Sequence, residues 1–522
     1  MSTSSTVKAQ LSTLLTSANS ATGVSDTNLT DAVTSLISGY NAGGSSEPDS
    51  KDIDFYDYDG TRLYSYTIAE AQALAALPEL PTHEGLVNNG WNFTLAEVKA
   101  VTDFADVGCT YSTSDGATRA YIHVSSEDSR TVSFCFKQSA ERGVAVNWGD
   151  GSADETFENM SSAGSVIVSH TYSTCGDFTV SFKPASGVTL TLGLKDRLTD
   201  DILEFHFSNY IRLGDNNIYC HYANIYKLEI GNNAALERDS FCGCHGLETV
   251  TVPNTVTSIP SKCFYYCDSL RAFVFPRSVT TVDDYNLYQC AAVKMVSIPS
   301  TLRQSGTYFC SNIAVERIRM GDSITNIKSY SSINLTVLKH AHVSQSATAL
   351  AISFMLGNGL LKNIRFPASV SSTGAHLCGE CTSIGDAYFD SHTAVPSVNA
   401  GPFEKCGERL LIHIPVALYD EWRTATNWVA VAQKMVPCKN GADVTLSGIT
   451  VTTQPATTNY SAGASFDKMG MVVTATYSDG SSYPVNDYTV TPEPLAAGTT
   501  AVTVSYTVRE NTATVSVPVT VS

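Results

Sequence analysis

The sequence predicts a mainly β, multidomain chain. Short N-terminal helices come first, then a small α/β module, a β-sandwich, a solenoid of about ten turns with a helical cap, and a second sandwich. Three observations carry this. Paired apolar residues return every 22–25 positions through the middle of the chain. Period-2 alternation broken by Gly, Asp and Pro turns fills the stretches on either side. The length of 522 residues is more than one core can serve, so several domains are required.

Residues 1–42 read as two short amphipathic helices. Val7, Leu11, Leu14 and Leu15 mark the first. "SDTN" offers N-cap residues for the second, and Leu29, Ala32, Val33, Leu36, Ile37 and Tyr40 then share one face. Neither helix is long enough to stand alone in water, so the pair reads as an attachment segment. Residues 43–52, overlapping "NAGGSSEPDS" (41–50), form a Gly/Ser linker. The stretch "ATGVSDTNLTDAVTSLISGYNAGG" resembles N-terminal pieces of phage virion proteins.

Residues 53–108 predict a strand pair around Asp59-Gly60, a helix over 67–77, a Pro-rich turn and a second helix from Thr94. The stretch "DYDGTRLYSYTIAEAQALAALPELPTHEGLVNNGWNFTLAEVKA" resembles a short module of phage and prophage structural proteins. Asp54, Asp57 and Asp59 suggest calcium, but Phe55 stands where an EF-hand needs its first carboxylate. His83-Glu84 lacks the second histidine of a zinc-protease motif.

Residues 109–197 contain "VNWGDGS" and "SHTYSTCGDFTVSF". Trp148 and Tyr172 are expected in a sandwich core, with the turn at Gly149-Asp150-Gly151. The pair of motifs resembles a PKD domain, an Ig-like sandwich that usually serves as a spacer.

Residues 198–438 carry the repeat. Cys244, Cys267 and Cys290 keep a step of 23, as do Pro253, Pro276 and Pro299, in the frame C-x-x-L-x-x-V-x-V-P. Ten strand pairs follow the period, from Phe205/Phe207 through Phe273/Phe275 and Ile318/Met320 to Ile412/Ile414. The cysteine column is expected to continue as Asn312, Asn358, Cys381 and Cys406. A second inward column holds Phe241, Phe264, Leu287, Phe309, Met355, Cys378 and Phe403. In "FCGCHGLETV" Cys242, Cys244 and His245 crowd together as in a zinc site, but the period makes most of the repeat cysteines buried fillers, and no metal site is expected. "LETVTVPNTVTSI" and "CDSLRAFVFPRSVTTV" resemble the leucine-rich repeats of cysteine-containing bacterial surface antigens. "IHIPVALYDEWRTATNW" resembles their closing strand and helical cap, which covers the last core layer. Residues 443–522, with "GITVTTQPATTNYSAGASFDKMGMVVTATYSDGSSYPV", resemble bacterial Ig-like domains.

Net charge is −18, from 32 basic and 50 acidic residues, and this field disfavours nucleic acid and anionic membranes as partners. No apolar run reaches the roughly 18 residues of a membrane helix. The N-terminus lacks the apolar region of a secretory signal. Outward-facing domain types without a signal point to a virion surface protein, made in the host cytoplasm: a tail fibre, or a head fibre or decoration. It would dock on other virion proteins by its N-terminus and adhere to a host-surface or mucosal glycan, as a homo-oligomer with a trimer favoured. The alternative is a bacterial surface adhesin, followed by a glycan depolymerase. Neither a catalytic motif nor a cofactor is expected. The residue between the two inward positions of each strand must point out. Arg317, Arg319, His340, His342, Arg365 and Tyr388 are therefore expected to share a cationic, partly aromatic patch for an acidic ligand. The competing expectation is that they pair with acidic residues of a neighbouring loop or subunit.

Overall fold

The computed structural model describes residues 52–113, 117–124, 130–138, 143–158, 166–186, 190–193, 202–207, 225–232, 234 and 236–522. The expected attachment segment 1–42 and almost all of the linker lie outside them.

The first module is a four-stranded sheet of β1 (Ile53–Tyr56), β2 (Arg62–Tyr66), β3 (Leu86–Trp91) and β4 (Ala105–Thr113), ordered β2-β1-β4-β3. Gly60, at a φ of 89°, permits the β1–β2 turn. Two helices, Ile68–Ala73 and Leu95–Ala100, each begin with a capping box: Thr67 with Glu70, and Thr94 with Glu97. The first is shorter than the expected 67–77. Leu74 leaves helical geometry, and Leu74, Leu77 and Leu80 pack against the module core from the chain that follows.

The next domain is a β-sandwich. Strands β5 (Thr118–Val124), β7 (Val144–Asn147), β8 (Glu155–Phe157) and β10 (Gly176–Pro184) share one sheet; β6 (Thr131–Gln138), β9 (Val166–Thr171) and β11 (Leu190–Gly193) form the other. Trp148 and Tyr172 are core residues as expected, and the Tyr172 hydroxyl donates to the Trp148 carbonyl at 2.8 Å. Gly149 and Gly151 hold the turn at positive φ.

The first sheet does not stop at the domain's edge. β12 (Ile202–Phe207) pairs antiparallel with β5 and parallel with β13 (Lys227–Ile230), which begins the solenoid. An open solenoid edge would present unsatisfied backbone groups. Here the sandwich supplies the missing neighbour, so one seven-stranded sheet crosses the junction.

The first member of every expected pair falls in a strand, and in most turns the second lies one residue past the strand's end, over about nine turns. Their paired residues line the core: Leu228, Ile230, Val250, Val252, Phe273, Phe275, Ile318 and Met320 are all buried. A second, narrower parallel ladder runs through Ser258–Ile259, Thr281–Val282, Asn326–Ile327, Ala349–Leu350, Ser372–Thr373 and Ser397–Val398. One column differs from expectation. Ile313, not Asn312, continues the cysteine column into the core. Asn312 takes the adjacent left-handed position, as do Gln289 and Asn334 in neighbouring turns. The shortened step comes after the column, between Ile313 and the next strand, so counting backward from that strand lands one residue early. Asn358 does occupy the column, buried, and donates to the carbonyls of Ser332 (2.8 Å) and Met355 (3.1 Å).

The array closes with strand Leu411–Pro415, helix Tyr419–Thr424 and strand Met435–Lys439. Trp422 and Trp428 fill the last core layer beside Phe389. A final sandwich follows. Asp420 of the cap helix accepts from the Asn486 backbone N–H (2.9 Å) and the Tyr506 hydroxyl (2.6 Å), and Lys439 pairs with Asp479 at 3.0 Å.

Candidate functional site

The outward row of the solenoid sheet is largely covered. Strand β4 and its flanks lie across it. Gly108 is the point of closest approach, where a Cβ would sit 2.5 Å from the methyl carbons of Val274. Ala272, Val274 and Met295 of the row pack with Tyr56 of the module. Ser297 and Thr251 are likewise buried. The Asn92 amide donates to the Phe275 carbonyl (2.9 Å) and the Ser297 hydroxyl (2.8 Å), while Asn254 donates to the Asn89 carbonyl (2.7 Å). Glu97 accepts from Arg277 and Ser300. Burial works against the Glu97 charge, but those bonds prevail and hold its carboxyl down at about 2.

This cover divides the six expected patch residues. Arg317 donates through Nε to Asp106 at 2.9 Å and through its terminal nitrogens to Asp106 and Asp54. Burial raises the Asp106 carboxyl despite Arg317 beside it, and it disfavours the Arg317 charge, which Asp106 and Asp54 nonetheless hold above its ordinary value. Arg319 bridges Asp103 and Asp322, and His342 lies between the same two carboxylates. Of the remaining three residues, His340 sits at the module's edge and Arg365 and Tyr388 beyond it. His340 is exposed, with its ring 6.4 Å from Phe104. Arg365 pairs with Asp390 and lies 4.4 Å over the Tyr388 ring. His413 of the following strand stacks on that ring at 4.4 Å. Both faces of Tyr388 are thus occupied within the chain.

The structure bears out the competing expectation of acidic partners: Asp322 lies on the neighbouring loop, while the partners from the first module were not identifiable in the sequence. Asp54, Asp103 and Asp106 lie more than 200 residues earlier in the chain, and no periodicity links them to the repeat. The three aspartates first read for calcium also have protein partners: Asp54 faces Arg317 and Ser65, Asp57 meets His83 at 2.8 Å, and Asp59 accepts from the Thr61 N–H at 2.8 Å. In "FCGCHGLETV", Cys242 and Cys244 are buried, whereas His245 points outward to Asp268 at 2.8 Å. Among the described residues no group of three His, Cys, Asp or Glu side chains is placed to hold a metal.

The docked histidine makes a pH prediction. Burial opposes the His342 charge, but Asp103 and Asp322 outweigh it and raise its pKa above the ordinary value; Arg319 acts weakly against them. A group whose folded pKa is raised stabilises fully below its unfolded value, about 6.5. That contribution fades as pH rises through the folded value. Asp103 and Asp322 are held low, so theirs fades only in acid. Module docking should therefore weaken as pH rises from about 6.5 through the raised folded value, read as faster hydrogen exchange across residues 53–113. His206, raised by Glu204 and Glu229 at the sandwich junction, shifts in the same direction, so the comparison is with His342→Gln. An equal pH response in that variant would show that His342 is not the titrating group.

A feature missed in the sequence lies on the turns that precede the cysteine column. Tyr285, Tyr308 and Tyr330 stack along the solenoid axis, with ring centroids 4.9 and 4.8 Å apart. Tyr265 and Tyr288 form a parallel pair at 5.5 Å, with Tyr288 nearly perpendicular to Tyr285 and Tyr308. Tyr266 meets Tyr265 and Tyr288 edge-on. The signal was present as steps of 23 and 22 between tyrosines, outside the columns read as core.

Comparison with known proteins divides along these domains. Residues 214–339 and 309–418 match the model of the BspA type leucine rich repeat region, and residues 453–519 match that of the bacterial Ig-like domain, group 3. Among solved structures, a leucine-rich repeat protein from Bacteroides ovatus is similar at 16% identity, over 49% of this chain and 72% of that one, with a TM-score of 0.36. A leucine-rich repeat protein from Eubacterium ventriosum gives 16% identity over 44% and 73%, with a TM-score of 0.24. A leucine rich cell surface protein from Faecalibacterium prausnitzii gives 15% over 43% and 90%, with a TM-score of 0.20. No curated protein sequence matches. The chain carries a BspA-type leucine-rich repeat region followed by a bacterial Ig-like domain.

Proposed function

We propose that this is a non-enzymatic recognition protein of an outward-facing surface, and that the surface is a bacteriophage particle, as tail fibre or head fibre or decoration. Segment 1–42 docks on other virion proteins, and the β domains adhere to a host-surface or mucosal glycan, in a homo-oligomer for which a trimer is favoured. The observation that carries the recognition reading is how the β domains are joined. A shared sheet unites sandwich and solenoid, and Asp420 bonds the cap to the last domain, which suits rigid display. The phage resemblance of "ATGVSDTNLTDAVTSLISGYNAGG" and of the module that follows supports the particle as the surface. Within the expected patch, His340, Arg365 and Tyr388 remain candidates for direct ligand contact. Arg317, Arg319 and His342 would meet a ligand only after the module undocks.

A second reading, a bacterial cell-surface adhesin, is supported by the repeat and Ig-like matches. Immunogold microscopy with antibodies to the solenoid separates the two. Gold at one fixed place on purified particles is expected; labelled cell envelopes with bare particles would transfer the protein to the adhesin class.

A further inference from the structure

We propose that the tyrosine ladder is a binding platform for a neutral, extended polysaccharide chain lying along the solenoid axis. The proposal rests on the recognition reading above and names its site and ligand class.

The fold does not require these rings. Tyr285, Tyr308 and Tyr330 occupy a left-handed backbone position that recurs once per turn, and other turns fill it with Asp239, Lys262, Ser353 and His376. A left-handed conformation costs a non-glycine residue about 1–2 kcal/mol whatever its side chain. Aromatic choice there is therefore not a backbone demand, and it is concentrated in consecutive turns. Tyr266, in the neighbouring left-handed column, is among the exposed large side chains of the chain. The contacts of the module described above fall on the sheet strands and the loops just after them, so these turns face elsewhere.

The arrangement suits a sugar chain. Tyrosine offers an apolar ring and a hydroxyl tip. Tyr285, Tyr308 and Tyr330 cover one another's faces and present edges and hydroxyls, while exposed Tyr266 offers apolar ring surface for the C–H face of a pyranose. Rings in two orientations at near right angles give a stepped surface rather than a flat one. The turns repeat at the spacing of paired strands, about 4.8 Å, comparable with the advance of one residue in an extended pyranose chain. Charge selects a neutral ligand. Exposed Asp268, Asp283 and Asp284 flank the ladder, and the ammonium of Lys262 is drawn over Tyr265 and Tyr285 at 5.5 and 5.8 Å. An anionic polymer would meet those carboxylates and the field of a chain of net −18. The tyrosine hydroxyls are protonated at neutral pH, so each can both donate and accept.

The test is affinity electrophoresis of the full chain in gels cast with hydroxyethylcellulose, galactomannan or α-mannan. The wild type should be retarded in at least one gel. Tyr266→Ala with Tyr288→Ala should weaken that apparent affinity about tenfold or more, the loss of about 1.4 kcal/mol of binding. The Phe pair should retain most of it, since the apolar rings remain. Should the Ala pair unfold, Tyr266→Glu alone, at the most open ring, must show the same loss. No retardation in any gel, or unchanged retardation in both Ala and Glu variants, overturns the proposal. Dimers in sedimentation that Tyr266→Glu dissociates would assign the ladder to self-association instead. Fixed gold labelling of particles alongside a failed ladder would leave the recognition reading standing without this site.

Discussion

Arg317→Ala should cost about 3–5 kcal/mol, the range for removing one partner of a buried ion pair. The guanidinium closes a triad with Asp54 and Asp106, all three largely shielded from water. Removing it leaves two carboxylates facing each other beneath the module, one already raised by burial. Stability should fall in chemical denaturation, and exchange should rise first in residues 53–113, because the triad joins that module to the solenoid. Asp54→Asn with Asp106→Asn in the same background should recover part of the loss, since the repelling charges are then gone. A variant within about 1 kcal/mol of wild type, the range of an exposed pair, would mean the triad is open to water in solution.

Trp422→Ala should be comparably severe, about 3–5 kcal/mol for a fully buried aromatic. Its ring packs within 6 Å of Phe389, His392 and Trp428 at the end of the array. Its helix also presents Asp420 to the final sandwich, so a loosened cap releases both neighbours. Limited proteolysis should cut first between residues 386 and 445 in the variant. Cleavage confined to other segments would show that the cap does not close the solenoid.

Much of the fold was legible because a solenoid writes its core as columns. Val250/Val252, Phe273/Phe275 and their equivalents point inward whatever lies outside them. The outer face was harder. Ala272, Val274, Met295 and Ser297 form an apolar and small-residue run that marks a covered surface, but the cover comes from another domain. Asp54, Asp103 and Asp106, which pair with Arg317 and Arg319, lie far away in the chain, whereas Asp322, three residues after Arg319, fits the competing expectation of pairing with a nearby loop. The Asn312 displacement has a simpler cause: a deletion can fall on either side of a column, and spacing alone does not say which. The tyrosines escaped notice because search for a core passes over rings that lie outside it.

The docking of the first module also constrains the order in which the chain matures. Its bonds to the solenoid span sequence separations of 144 to 263 residues, from Thr110–Asn254 to Asp54–Arg317. A ribosome adds roughly 5–20 residues per second, so the module emerges roughly 10 s or more before its seat exists. During that interval Gly108, Asn92 and the acidic rim meet water or a chaperone rather than the repeat. The sandwich, translated next, completes its sheet only when β12 arrives, and that strand in turn offers the edge on which the first solenoid strand pairs. In the order of synthesis the solenoid thus extends from an edge the sandwich offers, and the earliest-made module meets its complete seat only after residues through His342 have emerged.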